Sequence, residues 1–262
     1  MRRAVIADIH GNSPALRAVL EDVRSCRCEQ LLFLGDVING PDPRGSLELL
    51  LGWPGVQSIK GNAEWYLCTE GLEEFPWRDR AAYRWFITAL VDWRTAIGPQ
   101  LLSRVSAWPS EMVHGDAWML HSSPLDLANA GTGPVELPQR YRLLTAHGNG
   151  LVPSSPVSVM AANAEAVLKR GFSRLFCGHT HMPFTVHVGE VTILNPGSAG
   201  MPLDGDPRAS WMLWDGPAVQ VRRVAYDIDA TLELVARHIR DPERRRQYEW
   251  MFPRALHWRN MT

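Results

Sequence analysis

Residues 4–12 read AVIADIHGN, four apolar residues that run without alternation into Asp8, His10 and Asn12. A short apolar run closed by turn residues reads as a buried strand. The DIHGNSP that follows reads as a turn leading into an amphipathic helix from about Pro14 to Val23, with Pro14 near its first turn. The pattern recurs. LLFL at 31–34 is followed by GDVINGPDP and a short SLELLL helix, and VQSI at 56–59 is followed by GNAE. Strand, polar loop and helix in succession predict βαβ units around a mainly parallel sheet with right-handed crossovers.

Further along, the style changes. Residues 73–107 carry Trp77, Tyr83, Trp85, Phe86, Leu90 and Trp93 at helical spacing and read as helices packed on the domain or capping it. From residue 112 the chain reads as short strands: MVHG, AWMLH, RLFCGH, PFTVHV, EVTILN, SWMLW and VQVRRV. Among them, the Pro-, Gly- and Ser-rich segment 124–158 reads as a surface excursion and 161–170 as a helix. A helix at 229–240 and a basic, aromatic tail close the chain. No break in composition divides it, so 1–262 reads as one domain with excursions at about 65–110 and 124–160 and a C-terminal helical tail over 229–262.

With 262 residues the chain is long enough to bury roughly 70–75% of its unfolded surface. A net charge of -1 gives no electrostatic reason for bulk nucleic-acid binding or attraction to an anionic membrane. Cys26 and Cys28 form a lone C-x-C with no second pair at zinc-site spacing, and read as free thiols. The apolar run at the N-terminus is interrupted by Asp8, and no later run has the length of a membrane span. These features predict a soluble, reduced, cytoplasmic protein; self-association into a homo-oligomer is left open.

Catalytic groups in open α/β sheets gather in loops beyond the carboxyl ends of strands. Those positions hold Asp8 and His10, then Asp36, Asn62, His121, and finally His179 and His181. Two aspartates, an asparagine and four imidazoles suit divalent manganese, iron, cobalt, nickel or zinc. Seven donors exceed one tetrahedral site but suit two ions sharing a carboxylate. Taken singly, Asp8 would serve as a helix cap and Gly35–Asp36 as turn chemistry; the two histidines of GHTH (178–181) are more specific. His114 competes with His121, which is preferred because it directly ends the apolar run WML. His147, His187, His238 and His257 are assigned to surface or structural roles.

In order, DIHGN (8–12), GDVINGPDP (35–43), GNAE (61–64), HSSP (121–124), GHTH (178–181) and NPGS (195–198) resemble the signature blocks of the calcineurin-like metallophosphoesterase superfamily. The likeness is greatest to its small bacterial and archaeal phosphodiesterases, a branch grouped with diadenosine-tetraphosphatase-like and protein-phosphatase-like enzymes. This resemblance implies a four-layer αββα sandwich of mixed sheets with a dimetal centre on one edge. Asp8, His10 and His181 would hold one ion, Asn62, His121 and His179 the other, and Asp36 would bridge them. Asn12 would lie near the phosphate or bridging water, completing a catalytic set with Asp36 and Asn62. The implied cofactors are two divalent ions, manganese favoured, and the implied chemistry is in-line attack of a bridging hydroxide on the phosphorus of a small phosphoester, nucleotide-derived ones included.

Ala63 departs from the family pattern. Many relatives place a histidine there to serve the leaving group, steadied by the acidic residue that follows; here that residue, Glu64, has no imidazole to orient. A methyl group donates no proton, which favours phosphodiesters or other substrates with good leaving groups. Arg208, in DGDPRAS, is a candidate phosphate contact; the alternative is a turn at Asp206–Pro207 with Arg208 paired on the surface. The Trp-rich helices read as core before substrate wall, and the RRR-containing tail as a helix packed on its own domain before a docking site. The rival functions are a phosphomonoesterase or protein phosphatase, a dinucleoside polyphosphate hydrolase, and a metal-bound scaffold that acts through protein contacts.

Overall fold

The computed structural model describes residues 1–69, 81–129 and 150–261. Trp77 and residues 130–149 of the predicted excursion lie outside the described residues, as do the side chains of Tyr83, Trp85 and Phe86.

Residues Arg2–Ile6 form β1, Gln30–Phe33 form β2 and Gln57–Ser58 form β3, paired in parallel in that order. The helices between them are α1 (Ser13–Ser25) and α2 (Pro43–Leu51). This is the arrangement expected of the first third of the chain. The sheet is not mainly parallel, however: β9 (Ala209–Asp215) pairs antiparallel with β1, and β10 (Ala218–Val224) antiparallel with β9. The second sheet contains β4 (Glu111–His114), β5 (Ala117–Leu120), β6 (Arg174–Phe176), β7 (Phe184–Val188) and β8 (Val191–Asn195), in the order β4-β5-β6-β8-β7. Both five-stranded sheets are therefore mixed.

The unbroken apolar runs have a direct cause, since a strand covered on both faces has no solvated side to alternate with. Ala4, Ile6, Leu31 and Phe33 pack under α1 and α2, with Trp211 of β9. Val5, Leu32 and Leu34 face the other way, against Met119, Phe176 and Leu194 of the second sheet. Beyond that sheet, Leu175 and Ile193 pack against Met160, Ala164 and Val167 of a helix over Val157–Lys169. Helix, sheet, sheet, helix is the four-layer sandwich.

Three further helices are α3 (Asn62–Cys68), α4 (Ala81–Ile97) and α5 (Pro99–Ser106). Leu90, Trp93 and Ile97 of α4 belong to the core under the first sheet, so Trp93 is packing and not an exposed stacking face. Beyond β5, the HSSP block starts α6 (Pro124–Asn129), and Val157–Lys169 is α7. β3 is shorter than the VQSI run: Val56 N–H turns back to Trp53 O, Ile59 N–H still donates to Phe33 O, and beyond it Lys60 N–H donates to the Pro109 carbonyl and Lys60 Nζ to Ser106 O and Trp108 O at 2.8 and 2.7 Å. That anchor holds the GNAE turn beside the GD loop.

The tail forms α8 (Ile228–His238) and α9 (Pro242–Arg254), and Tyr248, Met251 and Phe252 are buried against Met201 and Val235. It packs on its own chain. No helix among the described residues is long and apolar enough to cross a membrane.

Candidate metal centre

The strands that contribute five of the seven donors end in sharp turns. Asp8, His10, Asp36, His179 and His181 all have positive φ, between 48 and 69°, although none is glycine. Only Arg27, Asn39 and Ala255 share that property among the described non-glycine residues. A left-handed backbone at a residue with a Cβ costs on the order of 1–3 kcal/mol, and such residues persist only where the surroundings over-determine them. Here the turns throw five side chains inward from three strand ends, those of β1, β2 and β6.

The GD and GN loops touch back to back. A Cβ on Gly35 would lie 2.3 Å from Gly61 N, and one on Gly61 would lie 2.1 Å from Asp36 Oδ1. Two glycines are therefore needed for Asp36 and Asn62 to reach the same centre.

Ring nitrogens and oxygens then converge. His10 Nε2 and His181 Nε2 face each other at 3.0 Å, with Asp8 Oδ1 at 3.9 and 3.6 Å from them. Asn62 Oδ1 is 3.1 Å from His121 Nε2 and 3.0 Å from His179 Nδ1. Asp36 Oδ2 lies between the two groups, 3.8 Å from His10 Nε2 and 3.5 Å from His121 Nε2. All seven donors expected from the sequence are brought together. His114 is not among them; it stands edge-on to Trp214.

The donor set fits cations. His121 Nδ1–H donates to the Leu34 carbonyl at 2.7 Å and His181 Nδ1–H to the Met201 carbonyl at 2.5 Å. These bonds place the Nδ1 proton, so each ring turns its Nε2 toward the cluster, where it offers a lone pair once that nitrogen carries no proton. There these nitrogens meet Asn62 Oδ1 and His10 Nε2, and Asp8 Oδ1 is buried with no hydrogen-bond partner. Buried lone pairs facing one another are unfavourable unless a proton or cation lies among them.

The electrostatics follow. Burial works against an imidazolium at His121, but the Asp36 charge beside it prevails and lifts its pKa to about 9. Burial likewise opposes the Asp36 carboxylate, and His121 outweighs it, holding Asp36 below the usual carboxylate range. Burial pushes His10 down, His181 well down and Asp8 well up. An ion entering this centre must displace the His121 proton, whereas the neutral His10 and His181 release none. Metal affinity should therefore rise with pH, by about tenfold per unit or more between pH 6 and 8, since any proton that burial keeps on Asp8 must leave along with that of His121. Calorimetric Mn²⁺ titrations at three pH values check this; an affinity flat across that range would contradict it.

Two expected contacts have other uses. Asn12 is fully buried: Oδ1 caps α1 by accepting from Ala15 N and also accepts from Thr231 Oγ1, while Nδ2 donates to Gly200 O. Its amide is taken up in tying loops together, which corrects the expectation that it faces the phosphate. Arg208 is on the surface in a paired geometry with Asp206, through Nε at 3.0 Å and Nη2 at 2.7 Å. The turn-and-pair alternative is the one observed.

Glu64 was missed. It is buried, and its carboxylate accepts four backbone N–H bonds. Oε2 takes Asp36 and Gly61 at 2.7 and 2.8 Å, and Oε1 takes Val37 and Ile38 at 2.9 and 3.3 Å. Burial and the Asp36 charge raise its pKa to about 7. The available signal was the Gly61-x-x-Glu64 spacing of a capping box. Ser198 was also unassigned; its Oγ donates to Asp8 O at 2.6 Å.

A two-sheet sandwich with carboxylate, amide and imidazole donors gathered at strand ends defines the class of metal-dependent phosphoester hydrolases. The chain belongs to the calcineurin-like phosphoesterase superfamily, whose domain description matches residues 1–215. An uncharacterized protein of Methanocaldococcus jannaschii is 27% identical over 254 residues, covering 90% of this chain and 92% of that one. Phosphodiesterase YfcE of Escherichia coli is 27% identical over 215 residues, covering 81% and 87%. The crystal structure of a metallophosphoesterase from Sphaerobacter thermophilus superposes with a TM-score of 0.70 at 26% identity, over 98% of this chain and 99% of that one.

Proposed function

We propose that the chain is a phosphodiesterase in which Asp8, His10 and His181 hold one divalent ion, Asn62, His121 and His179 a second, and Asp36 bridges them. Bound there, the ions would supply Lewis acidity and neutralise charge during hydrolysis at phosphorus. The chain's own groups do the rest. The Leu34 and Met201 carbonyls aim two imidazoles, the His179 N–H donates to Asp8 Oδ2 at 3.0 Å, and Glu64 holds the loop that carries Asp36.

The observation that carries the diester reading is Ala63. It is buried beside Asn62, and its N–H donates to Asp36 Oδ1 at 2.8 Å, so that position contributes a methyl and no proton donor. A positioned acid is worth about 10²–10⁴ in rate when the leaving group needs a proton. Without one there, substrates whose leaving oxygen departs as a stable anion are favoured. Similarity to a phosphodiesterase supports the same reading. The finer expectations of manganese, a nucleotide-derived substrate and a cytoplasmic location belong to this proposal. With Mn²⁺, bis(p-nitrophenyl) phosphate should turn over at least about tenfold faster than an alkyl phosphomonoester; equal or faster monoester turnover would sink the diester assignment.

A further inference from the structure

We infer that the C-terminal hairpin of α8 and α9 is a positioning element for the first metal subsite, with Thr231 as the residue through which it acts on Asn12. The inference rests on the assignment of Asp8, His10 and His181 as ligands. The hairpin lies beyond residue 215, where the family description ends.

Asp8 and His10 are carried by the loop after β1, and His181 depends on the loop after β8, whose Met201 carbonyl receives its Nδ1–H. Asn12 pins these loops together. Its Nδ2 donates to Gly200 O at 2.7 Å, its backbone N–H donates to Ile9 O, and Gly200 N–H donates to Asp8 O. A pin made of an amide must be held the right way round, because a flipped amide would turn its NH2 against the Ala15 N–H. The Ala15 N–H and the Gly200 carbonyl set that orientation, and Thr231 tethers the amide to α8: its hydroxyl donates to Asn12 Oδ1 at 2.9 Å, with both residues fully buried. The carbonyl of Asp227, the N-cap of α8, is a second and longer acceptor for that hydroxyl at 3.2 Å.

The same hairpin reaches the other loop. Val235, Tyr248, Met251 and Phe252 surround Met201, the residue whose carbonyl orients His181. Simple burial of an apolar face would explain Val235 and Phe252, but it needs no hydroxyl at 231. Valine would fill that volume equally well, so the hydroxyl is there for its bond.

The test uses the full chain, stripped of metal and titrated with Mn²⁺ by calorimetry and by electron paramagnetic resonance. Outer-shell partners of metal ligands change affinity by about 10–100-fold. Thr231→Val should weaken the tight Mn²⁺ site by about tenfold while far-ultraviolet circular dichroism stays that of wild type, and Thr231→Ser should restore affinity to within about threefold of wild type. Val167→Ala, a cavity variant in α7 on the far side of the second sheet, controls for loss of stability. Mn²⁺ affinity within twofold of wild type in folded Thr231→Val, or an equal loss in Val167→Ala, would overturn the inference. A wild-type chain that binds no Mn²⁺ tightly would instead remove the ligand assignment beneath it, an outcome told apart by the missing wild-type titration.

Discussion

Asp36→Asn lowers kcat for an aryl phosphodiester by at least about 10³-fold, since a ligand shared by two Lewis-acid sites supports several kcal/mol of transition-state stabilisation and each 1.36 kcal/mol is tenfold. The geometry explains why the fold survives. Asp36 Oδ1 accepts the Ala63 N–H at 2.8 Å, and asparagine keeps that bond by placing its amide oxygen there. The NH2 group is then left where Oδ2 was, between His10 Nε2 and His121 Nε2, and an amide nitrogen with two protons offers no lone pair to a cation. Elemental analysis should show fewer than two metals per chain while the circular dichroism spectrum stays unchanged. Two tightly held metals with activity within tenfold of wild type would show that Asp36 does not bridge.

Glu64→Gln destabilises the protein although it conserves shape. Each carboxylate oxygen serves two donors: Asp36 and Gly61 on one, Val37 and Ile38 on the other. Whichever way the glutamine amide is turned, its NH2 meets two buried backbone N–H groups, so a flip rescues neither pair. Above pH 7, where Glu64 is ionised, losing two bonds of this kind to a buried acceptor costs about 3 kcal/mol or more, a fall in Tm on the order of 10 °C for a chain of this length. Activity should fall with it even at temperatures where the variant is folded, because the loop that carries Asp36 loses its anchor. A Tm within 2 °C of wild type would mean that the carboxylate is not the brace it is taken to be.

Much of this was legible in the linear chain. The strands declared themselves because their apolar runs are short, unbroken and closed by polar turns, and a strand covered on both faces must be written that way. The seven donors could be found because each stands directly after such a run. His121 was separable from His114 on the same ground. Other features were not legible. Glu64 looked idle because its partners are backbone N–H groups, which carry no residue signature. Asn12 looked like a phosphate contact because the Thr231 that engages it lies 219 positions away. Arg208 carried two readings of equal merit until its pairing with Asp206 was seen. The antiparallel addition of β9 to β1 joins residues about two hundred positions apart, beyond the reach of any local pattern.

The sequence by itself determined the succession of strands and helices, the kinds of donor and their places beyond the apolar runs, because periodicity, turn chemistry and ligand type are properties of neighbouring residues. Only the tertiary structure gives the distances between the donors. His10 meets His181 across 171 positions and Asn62 meets His121 across 59, through turns held at positive φ. Those turns are locally unfavourable, so no local pattern announces them. They persist because two packed sheets, two touching glycine loops and the Glu64 carboxylate leave the backbone no easier path.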